Sequence, residues 1–158
     1  MNNMKRRTFL KGTLAGSVLA VAAGSGLLRP TEVLAAEWPK GGFEAKSMDD
    51  ALNALFGSST TADNGAIEIK APNQAENGAV VPIAVDASKI SGVEGVAILV
   101  EKNPSPLAAS VMTPGAAGFL SVRVKMGKTS PVVAVVKAGG KLHSAKKTVK
   151  VTVGGCGG

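Results

Sequence analysis

From Ala66 onward the sequence alternates between apolar and polar residues, and this two-residue period limits the possible folds more than any other feature. Successive side chains of a strand point to opposite faces of a sheet, so the pattern is typical of strands with one buried face. The clearest example is the segment 120–126. Two continuous apolar runs, 93–101 and 131–137, predict strands that are buried on both faces. We therefore expect strands throughout this part of the chain.

Turn residues separate the apolar segments and indicate the architecture. The predicted strands are 67–70, 81–85, 93–101, 120–126, 131–137 and 142–153, with an ambiguous short edge strand at 107–112. Pro82 indicates an edge or bulge position, and 138–141 is typical of a hairpin loop. Six or seven short strands with regular turns predict an all-β fold, an immunoglobulin-like antiparallel β-sandwich. The cysteine and tryptophan spacing of antibody domains is absent, so the expectation concerns architecture alone.

One short helix is predicted before the strands, at 48–56. Ser47 followed three residues later by an acid matches a capping box, and Gly57 is a suitable helix stop. Asp49 and Asp50 form a carboxylate pair, but acids at a helix start usually serve as caps and complement the helix dipole. The flanking segments 37–46 and 58–65 are expected to be irregular.

Residues 1–36 predict a cleaved export signal. Adjacent Arg6 and Arg7 precede a Gly/Ala-rich apolar stretch, and small residues offer cleavage after Ala35 or Ala36. The paired arginines indicate the twin-arginine route, which exports folded proteins, and therefore a periplasmic location. The apolar stretch is short and interrupted by glycines, so we expect no stable membrane insertion.

Composition then excludes several classes of function. The whole chain has a net charge of +7 at pH 7, but 18 − 5 = 13 basic and 11 − 1 = 10 acidic residues follow position 36, a balance of +3. This modest charge, with one Trp and no Tyr, argues against nucleic-acid binding. With a single cysteine, no intramolecular disulfide can form, so the expected domain 37–153 is stabilised by packing.

The sequence predicts a non-catalytic protein. His143 is its single histidine, and neither a nucleophile elbow, nor a phosphate-binding loop, nor a dinucleotide fingerprint is found. Neither a metal ion nor a cofactor is expected. His143 is interpreted as a strand residue on the surface.

Cys156 is the strongest candidate for chemistry. It lies in the segment 154–158, between Gly154 and Gly155 on one side and Gly157 and Gly158 on the other, which predicts a thiol on a flexible arm. Its Cα can extend roughly 10 Å beyond Val153. A lone thiol has a pKa of about 8.5, and this arm contains no group to lower it, so another protein must activate or load the thiol.

We interpret Cys156 as a covalent attachment point that visits other proteins. Three alternatives remain open at this point. The first is an exported structural module that uses Cys156 for a permanent intermolecular disulfide. The second is a periplasmic redox or metal-binding protein that uses Cys156 and His143. The third, a carrier loaded on its terminal glycine carboxylate, needs ATP-dependent activation, which an exported protein would not find.

The C-terminal sequence Val-Thr-Val-Gly-Gly-Cys-Gly-Gly at 151–158 resembles the arm of the SoxY family, sulfur carriers of periplasmic thiosulfate oxidation. The resemblance extends to the paired arginines, the helix at 50–56, the segments 67–72 and 75–82, and Asn103-Pro104. It covers essentially the whole chain after residue 36.

The resemblance implies a function and several partners. SoxY-like proteins are immunoglobulin-like sandwiches that pair with a second β-sandwich subunit, SoxZ. In such systems a SoxXA-type cytochrome couples thiosulfate to the arm cysteine, here Cys156, and a SoxB-like hydrolase releases sulfate. A SoxCD-type dehydrogenase can then oxidise the remaining sulfane sulfur. The carrier itself has no active site.

Overall fold

The computed structural model describes residues 38–112, 114–115 and 117–152. Two short helices come first, α1 (Lys40–Glu44) and α2 (Met48–Phe56). The strands follow as β1 (Thr61–Asp63), β2 (Glu68–Lys70), β3 (Gln74–Ala75), β4 (Val81–Asp86), β5 (Val93–Val100), β6 (Leu107–Met112), β7 (Phe119–Val124), β8 (Ser130–Ala138) and β9 (Lys141–Val151).

The strands form two sheets. The larger, sheet A, has the order β1-β9-β8-β5-β6, with β3 also paired to β9, and the smaller, sheet B, has the order β2-β4-β7. The inward side chains of both sheets share one apolar cluster, which includes Ile83, Ile98 and Val136. The all-β sandwich predicted from the sequence is therefore confirmed.

Sheet A is covered on both faces, which explains the continuous apolar runs in β5 and β8. In β5, Val96, Ile98 and Val100 face sheet B. The intervening Ala97 and Leu99 belong to a second cluster that contains Leu52 of α2. The helices thus shield the outer face of sheet A, so neither face of its central strands can be polar.

Helix α2 has the predicted bounds and the predicted caps. The Oγ of Ser47 accepts a hydrogen bond of 3.1 Å from the backbone N–H of Asp50 and donates one of 2.7 Å to its Oδ2. Gly57 ends the helix with φ of 78°, a left-handed conformation that favours glycine. The capping role predicted for Asp50 is therefore confirmed, and Asp49 lies in the same first turn.

The irregular segments expected on either side of α2 are wrong in part. Helix α1 lies within 37–46 and β1 lies within 58–65. The antiparallel expectation also has two exceptions, since β1 and β3 both pair with β9 in parallel. Pro82 lies in the central strand of sheet B, but β2 pairs only with residues 84–86, so β4 has one neighbouring strand at the proline.

Two predicted segments lie outside the described residues. The export signal at 1–36 and the arm at 154–158 stay predictions. In the part of the chain that the structure describes, no helix has both the length and the apolar character needed to cross a membrane.

Candidate functional site

The chain leading to Cys156 is held by hydrogen bonds up to Thr152. The backbone N–H of Thr152 donates to the carbonyl oxygen of Ala75 at 3.1 Å, and its Oγ1 donates to the same oxygen at 3.2 Å. One residue pair earlier, β3 and β9 are aligned with Ala75 opposite Val151. Thr152 precedes Cys156 by four residues, so the thiol is attached close to an ordered strand.

A second contact holds β9 from its other side. The Oγ1 of Thr129 accepts a hydrogen bond of 2.9 Å from the backbone N–H of Val151. The same hydroxyl lies 3.4 Å from the carbonyl oxygen of Val151, to which it donates. Thr129 and Ala75 therefore fix the last residues of β9 from opposite sides.

Gly78 packs directly against the end of β9, at Val151. Its carbonyl oxygen accepts a hydrogen bond of 2.7 Å from the backbone N–H of Met126. A Cβ on Gly78 would lie 2.8 Å from Cγ1 of Val151 and would overlap the carbonyl oxygen of Met126. Glycine is required here because the backbone of one loop touches another.

We expect Gly78→Ala to destabilise the fold by about 1–3 kcal/mol, the usual cost of overpacking a tight contact. The backbone must move away from Met126, and this movement loosens the contact with Val151. Chemical denaturation would measure the free energy of unfolding. Gly127→Ala is a suitable control, because a Cβ on Gly127 would meet no atom within 4 Å. Equal stability of the two variants would contradict the close approach.

His143 lies far from Thr152, the last described residue before the arm. It is the third residue of β9, it pairs with Ala62 and Val136, and its Nδ1 lies 3.4 Å from Nδ2 of Asn64. Nine residues separate it from Thr152, roughly 30 Å of strand. The four residues from Thr152 to Cys156 span at most about 14 Å. His143 therefore cannot act on Cys156 of the same chain.

Charged groups at the end of the sandwich away from Thr152 include two ion pairs, Glu94–Lys137 and Asp86–Lys70. The Oε2 of Glu94 lies 3.6 Å from Nζ of Lys137. Both residues line a cleft of about 430 Å³, together with Phe56, Lys141 and neighbouring residues. Hydrogen bonds from Ser88 and then Lys70 hold the pKa of Asp86 below its usual value. Among the described residues, no group of three or more His, Cys, Asp and Glu side chains is placed to bind a metal ion.

The sequence shows where the thiol is, but it does not show which residues hold the end of β9 that leads to it. Thr129 carries no signal, and the Asn77-Gly78 pair indicates only a turn. Their roles depend on contacts with a strand that lies far along the chain.

A β-sandwich whose last strand is anchored on both sides and leads to a lone cysteine defines a small sandwich domain that bears a single thiol. The sequence matches the family described as "Sulfur oxidation protein SoxY" over residues 52–156, a match that includes Cys156. The chain belongs to the SoxY family, as its resemblance predicted.

A solved structure agrees with this assignment. The sulfur carrier protein SoxY from Chlorobium limicola f thiosulfatophilum is 44% identical and superposes with a TM-score of 0.61. The alignment covers 68% of this chain and 97% of that chain. No curated protein sequence matches this chain.

Proposed function

We propose that this protein is a periplasmic sulfur carrier that holds thiosulfate-derived groups covalently on Cys156. The observation that carries the proposal is the family match, which extends to the only cysteine of the chain. The hydrogen bond between Thr152 and Ala75 supports the proposal, because it fixes the chain four residues before the thiol. Two of those four residues are glycines. A segment without side chains can enter a narrow pocket from which a Cβ would be excluded.

The loading step forms a sulfur–sulfur bond. The Cys156 thiol loses its proton, its sulfur bonds to the sulfane sulfur of thiosulfate, and two electrons pass to a SoxXA-type cytochrome. The product is an S-thiosulfonate. Hydrolysis by a SoxB-like enzyme then adds water, releases sulfate and leaves a persulfide on Cys156. A SoxCD-type dehydrogenase is a further partner for the oxidation of that persulfide.

In this proposal the protein contributes the carrier thiol and its presentation, and the partners supply the catalytic groups. A SoxZ-like β-sandwich subunit forms the heterodimer. Export by the twin-arginine route, directed by Arg6 and Arg7, delivers the folded chain to the periplasm. The mature protein then begins at Ala36 or Glu37, which intact-mass analysis would read directly.

Intact-mass analysis of the protein from cells that oxidise thiosulfate tests the carrier function. We expect thiosulfate-dependent additions on Cys156 that a thiol reductant removes, because each addition is attached through a disulfide-type bond. Protein from cells grown without thiosulfate is the control. Finding only the unmodified thiol during thiosulfate oxidation would overturn the proposal. A constant mass equal to two linked polypeptides would instead indicate a permanent disulfide.

A further inference from the structure

Four segments meet where β9 leaves the sandwich, and we call them the arm-end rim: 73–80, 101–105, 125–130 and 150–152. Thr129, Ala75 and Gly78 make the contacts described above, and further hydrogen bonds join the segments 101–105 and 125–130. The Asn103 side chain donates to the carbonyl oxygen of Lys125 at 2.7 Å and accepts from the backbone N–H of Gly127 at 3.2 Å. The backbone N–H of Lys102 donates to Oγ of Ser130 at 3.0 Å. The rim is therefore a connected surface with a defined shape.

The rim carries an excess of positive charge. Its exposed lysines are Lys102, Lys125, Lys128 and Lys150, and none of them forms an ion pair with another described residue. Its acids are Glu76 and Glu101, so the balance is 4 − 2 = +2. Glu101 is also partly neutralised, because its Oε2 lies 3.5 Å from Nζ of Lys146.

The short connection to Cys156 makes the rim a contact surface. Four residues from Thr152 give the thiol a reach of about 14 Å at full extension. A protein that takes the thiol into a pocket can therefore stand no farther from the rim than the length of arm that remains outside the pocket. Whatever acts on Cys156 in this way meets the rim lysines.

We propose that the arm-end rim is an electropositive docking surface for folded proteins whose pocket mouths are acidic. This inference rests on the carrier function proposed above. Opposite charges around the pocket mouth would speed encounter and align the arm with the pocket. Val80, half exposed at 50%, adds an apolar contact on the same surface.

A protein fits the rim better than a small anion does. Sites for small ligands gather a few polar groups in a concave pocket. The rim lysines are exposed and distributed over three segments of the chain. Such an arrangement matches an extended interface.

The test compares two double variants with the same change in net charge. Lys125→Glu/Lys128→Glu alters the rim, and Lys89→Glu/Lys141→Glu alters exposed lysines at the opposite end of the sandwich. Each is prepared as the full chain with its partner subunit. Isothermal titration calorimetry with the purified SoxXA-type cytochrome as the probe gives the Kd at low and at high salt. Loading of Cys156 by thiosulfate and its alkylation by iodoacetamide are measured in parallel.

We expect the rim variant to bind the cytochrome about ten-fold more weakly at low salt, with a smaller difference at high salt because ions screen exposed charges. The control variant should stay within about two-fold of the wild type, and alkylation by neutral iodoacetamide should be unchanged in both variants.

Equal Kd values for all three proteins, or no binding by the wild type at low salt, would overturn the docking surface. A change confined to the KM for thiosulfate would assign the rim to small anions and overturn it as well. If the wild type binds the cytochrome more tightly than the rim variant does but takes up no thiosulfate, the carrier function fails and the docking surface stands.

Discussion

Replacing Cys156 with serine should abolish thiosulfate loading completely. A serine hydroxyl cannot form the sulfur–sulfur bond that the proposed loading requires, and the chain has no second cysteine to replace it. Intact-mass analysis after incubation with thiosulfate and the SoxXA-type cytochrome would measure the loss. The last described strand ends at Val151, five residues before position 156, so we expect the melting temperature not to change.

The same variant separates a carrier from a structural disulfide. A carrier with serine at position 156 should still form the heterodimer with its β-sandwich subunit, which size-exclusion chromatography would show. Loss of assembly together with loss of loading would identify Cys156 as a structural link. Loading that persists in the variant would contradict the attachment site.

The second large effect concerns stability. Leu99→Ala should lower the free energy of unfolding by about 2–5 kcal/mol, the range for truncating a buried leucine. Leu99 of β5 is fully buried on the face of sheet A that the helices cover, in the cluster that contains Leu52 and Leu107. Truncation removes three carbon atoms and leaves a cavity between sheet A and the helices. Urea denaturation would measure the change.

Leu120→Ala is the matched control for this prediction. Leu120 is only partly buried, on the edge strand β7 of sheet B, so its truncation should cost about 1 kcal/mol. A near-neutral Leu99→Ala would show that the outer face of sheet A is not covered by the helices in solution.

The sequence predicts the strands well because their signals are local. The segment of β7 alternates between apolar and polar residues, and those of β5 and β8 are continuous apolar runs. Turn residues flank all three, and the hairpin between β8 and β9 contains Gly139-Gly140. The structure places these strands within a few residues of the prediction. Burial on both faces could also be predicted for β5 and β8, since no polar residue interrupts their central portions.

The elements that were missed depend on distant partners. Helix α1 contains Gly41 and Gly42, both poor helix formers. It packs closely on β6, where a Cβ on Gly42 would lie 3.0 Å from Cδ2 of Leu107. Strands β1 and β3 have turn-like sequences and exist because β9 offers them a parallel edge. Local propensity cannot show such pairings.

The candidate site divides in the same way. The thiol and its glycines are evident from composition, because a cysteine between glycine pairs is unusual. The rim lysines are scattered among ordinary surface residues, and only the hydrogen bonds of Asn103 and Thr129 show that their segments meet. Sequence therefore predicts the reactive atom but not the surface around it.

The position of β9 also determines when the protein can fold. Sheet A has β9 between β1 and β8, and β3 pairs with its last residues. Both parallel partners come from the first half of the described chain, with Thr61 beside Leu142 and Gln74 beside Lys150. Until β9 has been synthesised, β1 and β3 have no sheet to join and β8 presents an unpaired edge, which favours aggregation. The sandwich can therefore close only after β9 has been synthesised, and closing such long loops makes that step slow.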